Sequence, residues 1–319
     1  MKKLIVTTTD DKFAPGCAVL LYSLKKNMKE FADCDVKVFY TKLSQPNRDM
    51  IKSVCPKAVI QEPEDFDYCK GIKTLYGEDN QDTYLCLESF KQSEYDRVAY
   101  IDTDMLCISD ISYIFSEELS YDMMACAGTK NLNQKERYHS SGFPKFNAGF
   151  MVIGKKNLED HRTYNKLINI VKKAADAKSG NEYRILHKTA QTFNDQDAIK
   201  IYWQRNPVYI LPDWYNFKGF GNGPSESEFK RTDKHFRNNL KDIKLIHYSG
   251  KRKPWANVTD RSGGSIDGRI AGIYDVCSMA DPKEMNKSLA IHMWHDYYEE
   301  CFGEKCENDW YQHDKDLRW

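Results

Sequence analysis

Arg97-Val98-Ala99-Tyr100-Ile101-Asp102-Thr103-Asp104-Met105 decides how the rest of the chain is read. Its first five residues are β-branched or aromatic enough to predict a buried strand. The strand ends in two carboxylates one residue apart. Strand ends are where open α/β sheets place their ligands. Residues i and i+2 of a tight turn can aim their carboxylates at one point. Two such groups repel each other unless a cation lies between them. Hard oxygen donors suit Mg²⁺ or Mn²⁺, ions that commonly bridge to a substrate diphosphate. Two solvated turn acids would give the same Asp-x-Asp pattern, so the pair needs support from elsewhere in the chain.

Upstream of this stretch, Lys3 to Thr8 reads as an apolar strand, followed by the polar turn Thr9-Asp10-Asp11. Pro15 suits the first turn of a helix. Cys17, Leu20, Leu21, Leu24 and Met28 recur along it at helical spacing. Val36 to Tyr40 is the next strand, Pro46 begins a second helix, and Ala58 to Ile60 is a short strand. This βαβαβ order predicts a mostly parallel, doubly wound sheet. Residues 62 to 80 read as an acidic loop, and Thr83 to Gln92 as a helix feeding the central strand.

Downstream, a short helix through Phe115 precedes a strand over Met123 to Ala127. Residues 129 to 145 read as a loop long enough to serve as a lid. Phe146 to Ile153 returns as a strand, and Tyr164, Leu167, Ile168 and Val171 mark a helix. Asp195 to Tyr202 is a further helix, with strands at Val208 to Leu211 and Lys244 to His247. Beyond Trp255 the pattern weakens into an aromatic, mostly polar tail carrying Trp294, Tyr297, Tyr298, Trp310, Tyr311 and Trp319.

Composition narrows the function classes. In 319 residues, Lys+Arg and Asp+Glu are both 47, so no global basic field calls for nucleic acid. No apolar run approaches the roughly 18 residues of a membrane span. The opening Met1-Lys2-Lys3-Leu4-Ile5-Val6-Thr7 reads as a first strand and not as a signal peptide. Ten scattered cysteines without a Cys-x-x-Cys pair read as reduced core thiols of a cytoplasmic protein. Cys301 and Cys306 near His313 fit no common zinc spacing.

Four further stretches supply chemistry. Thr7-Thr8-Thr9-Asp10-Asp11-Lys12-Phe13 offers hydroxyls, carboxylates and an aromatic face that could hold a nucleobase and ribose, though an ordinary turn looks the same. Phe146-Asn147-Ala148-Gly149-Phe150-Met151-Val152 offers an amide and a backbone open to close approach, or merely a turn before a strand. Phe193-Asn194-Asp195-Gln196-Asp197 lies at a helix start, where Asn194 or Asp195 could simply cap. His247-Tyr248-Ser249-Gly250-Lys251-Arg252-Lys253-Pro254-Trp255 follows a strand with an imidazole, a flexible glycine and cations for a diphosphate.

In this order the stretches resemble the glycogenin-like glycosyltransferases of family 8, over about residues 2 to 256. The matching runs are Val6-Thr7-Thr8-Thr9-Asp10-Asp11 with Gly16, Glu94 to Asp104, Phe146 to Val152, Asp195-Gln196, and His247-x-x-Gly250-x-x-Lys253-Pro254-Trp255, the most specific of the five. The resemblance implies an α/β, GT-A fold: a Rossmann-like, nucleotide-sugar-binding catalytic domain over 1–256 with a mostly parallel central sheet. Residues 257–319 would then be a mainly helical C-terminal appendage packed on it.

It also implies roles. Asp102, Asp104 and His247 would hold Mn²⁺, or Mg²⁺. Thr7, Thr9, Asp10 and Phe13 would line the uridine of a UDP-sugar, with Thr103 also on the donor. Asn147 and Ala148 would face the sugar or acceptor, Asp195 and Gln196 would lie near the anomeric carbon, and Gly250 and Lys253 would grip the diphosphate. The implied reaction is retaining transfer of a hexose, glucose or galactose, from the UDP-sugar to a glycan, protein or small-molecule hydroxyl.

Two positions depart from the family. Asp10 stands where many relatives have Asn. The helix before the central strand usually carries a Thr-Lys or an Arg that touches the donor, and here reads Thr83-Tyr84-Leu85-Cys86-Leu87. That second departure favours one rival, a nucleotide-sugar-binding protein that transfers nothing. The His247 to Trp255 stretch speaks against another, a sugar-nucleotide hydrolase or nucleotidyltransferase, and the glycogenin resemblance also admits a self-glucosylating primer.

Overall fold

The computed structural model describes residues 1–72, 81–127, 137–139, 146–176, 193–204, 206–218, 226–249, 253–255 and 288–306. The chain opens with β1 (Lys3–Thr8), α1 (Ala14–Asn27), β2 (Cys34–Phe39), α2 (Gln45–Val54) and β3 (Val59–Gln61). After a 3₁₀ helix over Asp82–Lys91 come β4 (Arg97–Ile101), β5 (Met105–Cys107), β6 (Met123–Ala127), β7 (Arg137–His139) and β8 (Phe146–Gly154). Next are α3 (Lys155–Leu158), α4 (Arg162–Asp176), α5 (Asp195–Trp203), β9 (Val208–Leu211) and β10 (Phe217–Lys218). The described residues end with α6 (Glu226–Asn239), β11 (Leu245–His247) and α7 (Leu289–Phe302).

Eight strands form the main sheet in the order β3-β2-β1-β4-β8-β6-β9-β7. Pairing is parallel from β3 through β4, and β8 runs antiparallel between β4 and β6. The expected mostly parallel α/β sheet is therefore present. Both of its faces are covered, as such sheets require. On β1 and β4 the alternation is visible in which core each residue joins. Ile5, Ala99 and Ile101 face α1 and α2. Leu4, Val6, Val98 and Tyr100 face α4, α5 and the 3₁₀ helix.

The structure adds what local patterns did not show. A second sheet, β10-β11-β5, stands beside the first. The helix expected over Thr83 to Gln92 is a 3₁₀ helix, and Tyr84 to Phe90 along it are all buried. Part of the expected 129 to 145 loop is β7, paired antiparallel to β9; most of that loop lies outside the described residues. The nine described cysteines are free thiols, seven of them buried.

α1 is buried almost all round because it is held from two sides. Cys17, Leu20, Leu21 and Leu24 pack on the main sheet, and Val19 packs with Trp255, Trp294 and Tyr297. Trp294 and Tyr297 are 0% and 2% exposed. Neither can therefore stack on a glycan acceptor; they seal α7 onto the body of the protein. Trp310 lies outside the described residues. Trp294→Ala should cost about 3–5 kcal/mol of stability through the void it leaves. A urea melt whose midpoint is unmoved would contradict that burial.

Candidate active site

Sheet order sets the position of the site. From β1 the chain builds outward through β2 and β3, then returns to lay β4 on the other side of β1. The C-terminal ends of β1 and β4 therefore flank a switch-point crevice. A cleft of about 340 Å³ lies there. Thr9, Asp10, Phe13, Asp102, Thr103, Asp104, Asn147, Ala148, Asp195, Gln196, His247 and Lys253 all line it.

Of the other expected residues, Gly250 lies outside the described residues. Thr7 does not line the cleft. Its side chain is fully buried and its hydroxyl lies 3.1 Å from Thr103 Oγ1, so Thr8, one step along the pleat, lines the cleft instead. Thr103 has a structural task as well: its hydroxyl donates to the Thr8 carbonyl and ties the acidic turn to the end of β1.

The Asp102-Thr103-Asp104 turn is where the chain leaves the main sheet. β5 follows at once and pairs antiparallel with β11, setting Met105 opposite His247. The Tyr248 N–H donates to the Asp104 carbonyl at 2.9 Å. This register brings the imidazole to the two carboxylates. His247 Nε2 lies 3.1 Å from Asp104 Oδ1 and 3.7 Å from Asp102 Oδ2. One donor atom from each residue falls within 4.8 Å of the others. His247 Nδ1, on the far side of the ring, is 2.8 Å from Asn216 Oδ1.

The electrostatics of the two acids diverge. Asp102 is pushed up by burial and by the neighbouring Asp104 carboxylate. Asp104 also bears a burial cost, but the Lys253 ammonium and then His247 hold its carboxyl well below the ordinary range. Lys253 donates to Asp104 Oδ2 and to the Tyr248 carbonyl. It also lies over the Phe13 ring, 5.4 Å from the centroid. Phe13 meets Trp255 edge-on at 5.8 Å. Trp255 in turn lies on Gly16, where a Cβ would be 2.5 Å from its ring.

The residues fit a divalent cation. Two carboxylates and an imidazole converge, and burial leaves Asp102 without full compensation for its neighbour's charge. Gly149 keeps the space clear: a Cβ there would fall 2.4 Å from Asp102 Oδ2 and 2.8 Å from His247 Cε1.

Opposite the acidic turn stand Asn147 to Gly149 and the start of α5. The register between β6 and β8 shifts here, passing from Ala125↔Met151 to Cys126↔Asn147. Such bulges re-aim groups beside active sites. The Ala148 and Gly149 N–H groups donate to Gln196 Oε1 at 3.0 Å and Asn147 Oδ1 at 3.1 Å. At α5, Asn194 is the N-cap, and its N–H donates to Asp197 Oδ2 at 3.0 Å. With Asn194 and Asp197 occupied by capping, Asp195 and Gln196 are left to face the cleft.

Among the described residues no salt bridge to Asp195 is formed, and the 3₁₀ helix over Asp82–Lys91 presents Cys86 to it. Cys86 Sγ donates to its Oδ2 at 3.5 Å. Burial, then the Asp102 carboxylate, pushes Asp195 up to about 7. An unfolded Asp titrates near ~3.9, so between ~4 and ~7 the folded chain holds the extra proton and stability falls as pH rises. Asp195→Asn cannot ionise. In EDTA, its melting temperature relative to wild type should rise between pH ~4 and ~8. A difference that does not change with pH would refute a carboxyl held up by burial and by Asp102.

Sequence reading missed Asn216, which is 3% exposed. It sits in the 3₁₀ turn Asp213–Asn216, with no motif around it to mark it.

A sheet of this order, with a switch-point cleft where two carboxylates and an imidazole converge, is the arrangement of the GT-A fold. The sequence model of glycosyl transferase family 8 matches residues 4–259, and the chain belongs to that family. General stress protein A of Bacillus subtilis is 20% identical over 275 residues, covering 80% of this chain and 88% of the relative. A Haemophilus influenzae protein with a glycosyltransferase description is 22% identical over 318 residues, covering 92% of this chain and 82% of the relative. Among solved structures, the galactosyltransferase LgtC, with donor and acceptor sugar analogues, superposes with a TM-score of 0.54 at 18% identity, covering 88% of this chain and 98% of LgtC. The bifunctional glycosyltransferase WbbM superposes with a TM-score of 0.56 at 18% identity over 93% of this chain, which spans about half (51%) of WbbM. These superpositions show the fold. No described helix is long and apolar enough to cross a membrane.

Proposed function

We propose that this glycosyltransferase is a retaining, Mn²⁺-dependent hexosyltransferase using a UDP-sugar, glucose or galactose, and an acceptor hydroxyl. One observation carries the reading: the cation set, the Lys253 ammonium and the Asp195-Gln196 pair share one cleft. Asp102, Asp104 and His247 would hold the ion, which when bound supplies Lewis-acid stabilisation of the departing diphosphate. Lys253 would add positive charge on the same side. Phe13 would offer its face to uracil, with Thr9 and Asp10 beside the ribose and base.

Gln196 and Asp195 divide their work on geometric grounds. Both Asn147 Nδ2 and the Ala148 N–H donate to Gln196 Oε1. That oxygen is saturated, so Gln196 would meet the sugar with its Nε2 donors. The Asp195 carboxylate, whose side-chain donor is the weak Cys86 thiol, would stabilise positive charge developing at the anomeric carbon. A domain boundary near 256 and self-glucosylation of one of the tyrosines both remain compatible with this site. Cys86 in place of a basic residue favours the second reading, a domain that binds a nucleotide-sugar without transferring it.

UDP release from UDP-glucose and UDP-galactose, with Mn²⁺ and with EDTA, tests the proposal. Mn²⁺-dependent release, and a product whose anomeric proton shows the donor's α-configuration by NMR, are expected. A β-linked product would remove the retaining assignment. UDP binding without release from any UDP-sugar would establish the binding-protein reading.

A further inference from the structure

His247 carries two ring nitrogens, and only the one with a free lone pair can ligate a cation. Which one that is must be argued from donors whose hydrogens are fixed. Two such donors are on hand, the backbone N–H groups of Ala148 and Gly149. The first makes Gln196 Oε1 an acceptor, and the second makes Asn147 Oδ1 an acceptor. Asn147 must then turn its Nδ2 to Gln196 Oε1, 3.0 Å away. The group that meets Asn147 Oδ1 from the other side, at 2.8 Å, must be the Asn216 Nδ2 donor. This leaves Asn216 Oδ1 facing His247 Nδ1 at 2.8 Å. An amide oxygen only accepts, so the hydrogen is on Nδ1. In the neutral ring, Nε2, the atom beside Asp104 and Asp102, then carries the lone pair.

We propose that Asn216 is a positioning residue for the cation site: oriented by the β8 backbone, it locks His247 in the Nδ1–H tautomer and links that ring through Asn147 to Gln196. Partners of this kind fix the orientation of ligating histidines and commonly alter metal affinity 10–100-fold when removed. His247 and Asn216 are each 3% exposed, so water cannot readily replace the lost bond.

The inference rests on the proposed role of His247 as a ligand. The test uses full-length wild type, Asn216→Ala and Asn216→Asp, with Mn²⁺ alone as the probe, titrated by EPR. In metal-free wild type, long-range ¹H–¹⁵N NMR of the neutral ring should show the His247 hydrogen on Nδ1. Asn216→Ala should weaken Mn²⁺ binding about 10–100-fold. In Asn216→Asp a carboxylate still accepts from Nδ1–H, so Mn²⁺ affinity should stay within about threefold of wild type. That variant has lost the donor to Asn147, so its turnover at saturating Mn²⁺ should fall about tenfold or more. It decides the matter if Asn216→Ala does not fold. A wild-type Nε2–H tautomer, or Mn²⁺ affinity lost in Asn216→Asp, overturns the proposal. Mn²⁺ bound equally by wild type and Asn216→Ala removes the role of Asn216 alone. A wild type that binds no Mn²⁺ removes the underlying reading of His247.

Discussion

Asp104→Asn should lower kcat/KM for the UDP-sugar by about 10³-fold or more. A bound cation contributes several kcal/mol to a charged transition state, and each 1.36 kcal/mol is about tenfold. The substitution is nearly isosteric, so the loss is one of charge and not of shape. It also strands a neighbour: Lys253 is 6% exposed and its ammonium is paired with this carboxylate. Removing one partner of a buried pair commonly costs ~3–5 kcal/mol of stability.

Asp102→Asn makes the contrast. It should lose activity on the same scale, because it too removes an anionic ligand. Its folding consequence should differ in sign, since burial and Asp104 already disfavour the charged form of Asp102. In the absence of metal, Asp102→Asn should be as stable as wild type or more so, while Asp104→Asn should be less stable. The depressed Asp104 carboxyl contributes its stability at neutral pH and loses it only in strong acid. The contrast should therefore be clear at pH ~7. UDP-release kinetics and urea melts in EDTA check both halves. Activity of Asp104→Asn within about tenfold of wild type would sink the cation assignment.

The main-sheet strands were legible in the sequence because each is a buried apolar run. Ile5 and Ile101 on one face and Val6 and Val98 on the other are the kind of residues a doubly covered sheet selects. The cation set was legible through its motif, as Asp-x-Asp after a strand and His after another. What joins them was not. β5 and β10 have three and two residues, too short for any periodicity. The pairing of Met105 with His247 is long-range and leaves no local mark. Asn216 was hidden for the same reason, since its partners come from β8 and β11. Thr7 and Thr8 could not be told apart without knowing which face of β1 each occupies. That Trp294 and Tyr297 seal a contact was the readier reading of an aromatic tail, but the face they cover, α1, emerges only from the packing of α7.

Gly149→Ala should abolish Mn²⁺ binding and transfer while leaving the protein folded. The added methyl would lie 2.4 Å from Asp102 Oδ2, 2.8 Å from His247 Cε1 and 2.9 Å from Asn147 Oδ1. Each neighbour is held in place. Asp102 accepts from the Tyr100 hydroxyl at 2.7 Å, and its N–H donates to the Gly149 carbonyl at 2.8 Å. His247 is held by Asn216, and Asn147 by Gln196. The methyl therefore has to displace a ligand or pull β8 from β4. Overpacking of this kind costs ~1–3 kcal/mol of stability, which a domain of this size tolerates. The same displacement at the ligands should cost about 10²-fold or more in Mn²⁺ affinity, beyond what outer partners of a metal site usually contribute. Gly154→Ala at the far end of β8 is the control. Its Cβ would meet the Tyr121 carbonyl at 3.0 Å and the Asp122 Cα at 3.2 Å, far from the cleft. That variant should lose stability and keep its Mn²⁺ affinity. Melts and Mn²⁺ titrations on the two variants separate crowding of the sheet from crowding of the site. If Gly149→Ala binds Mn²⁺ as wild type does, the ion is not held by Asp102 and His247 beside this strand.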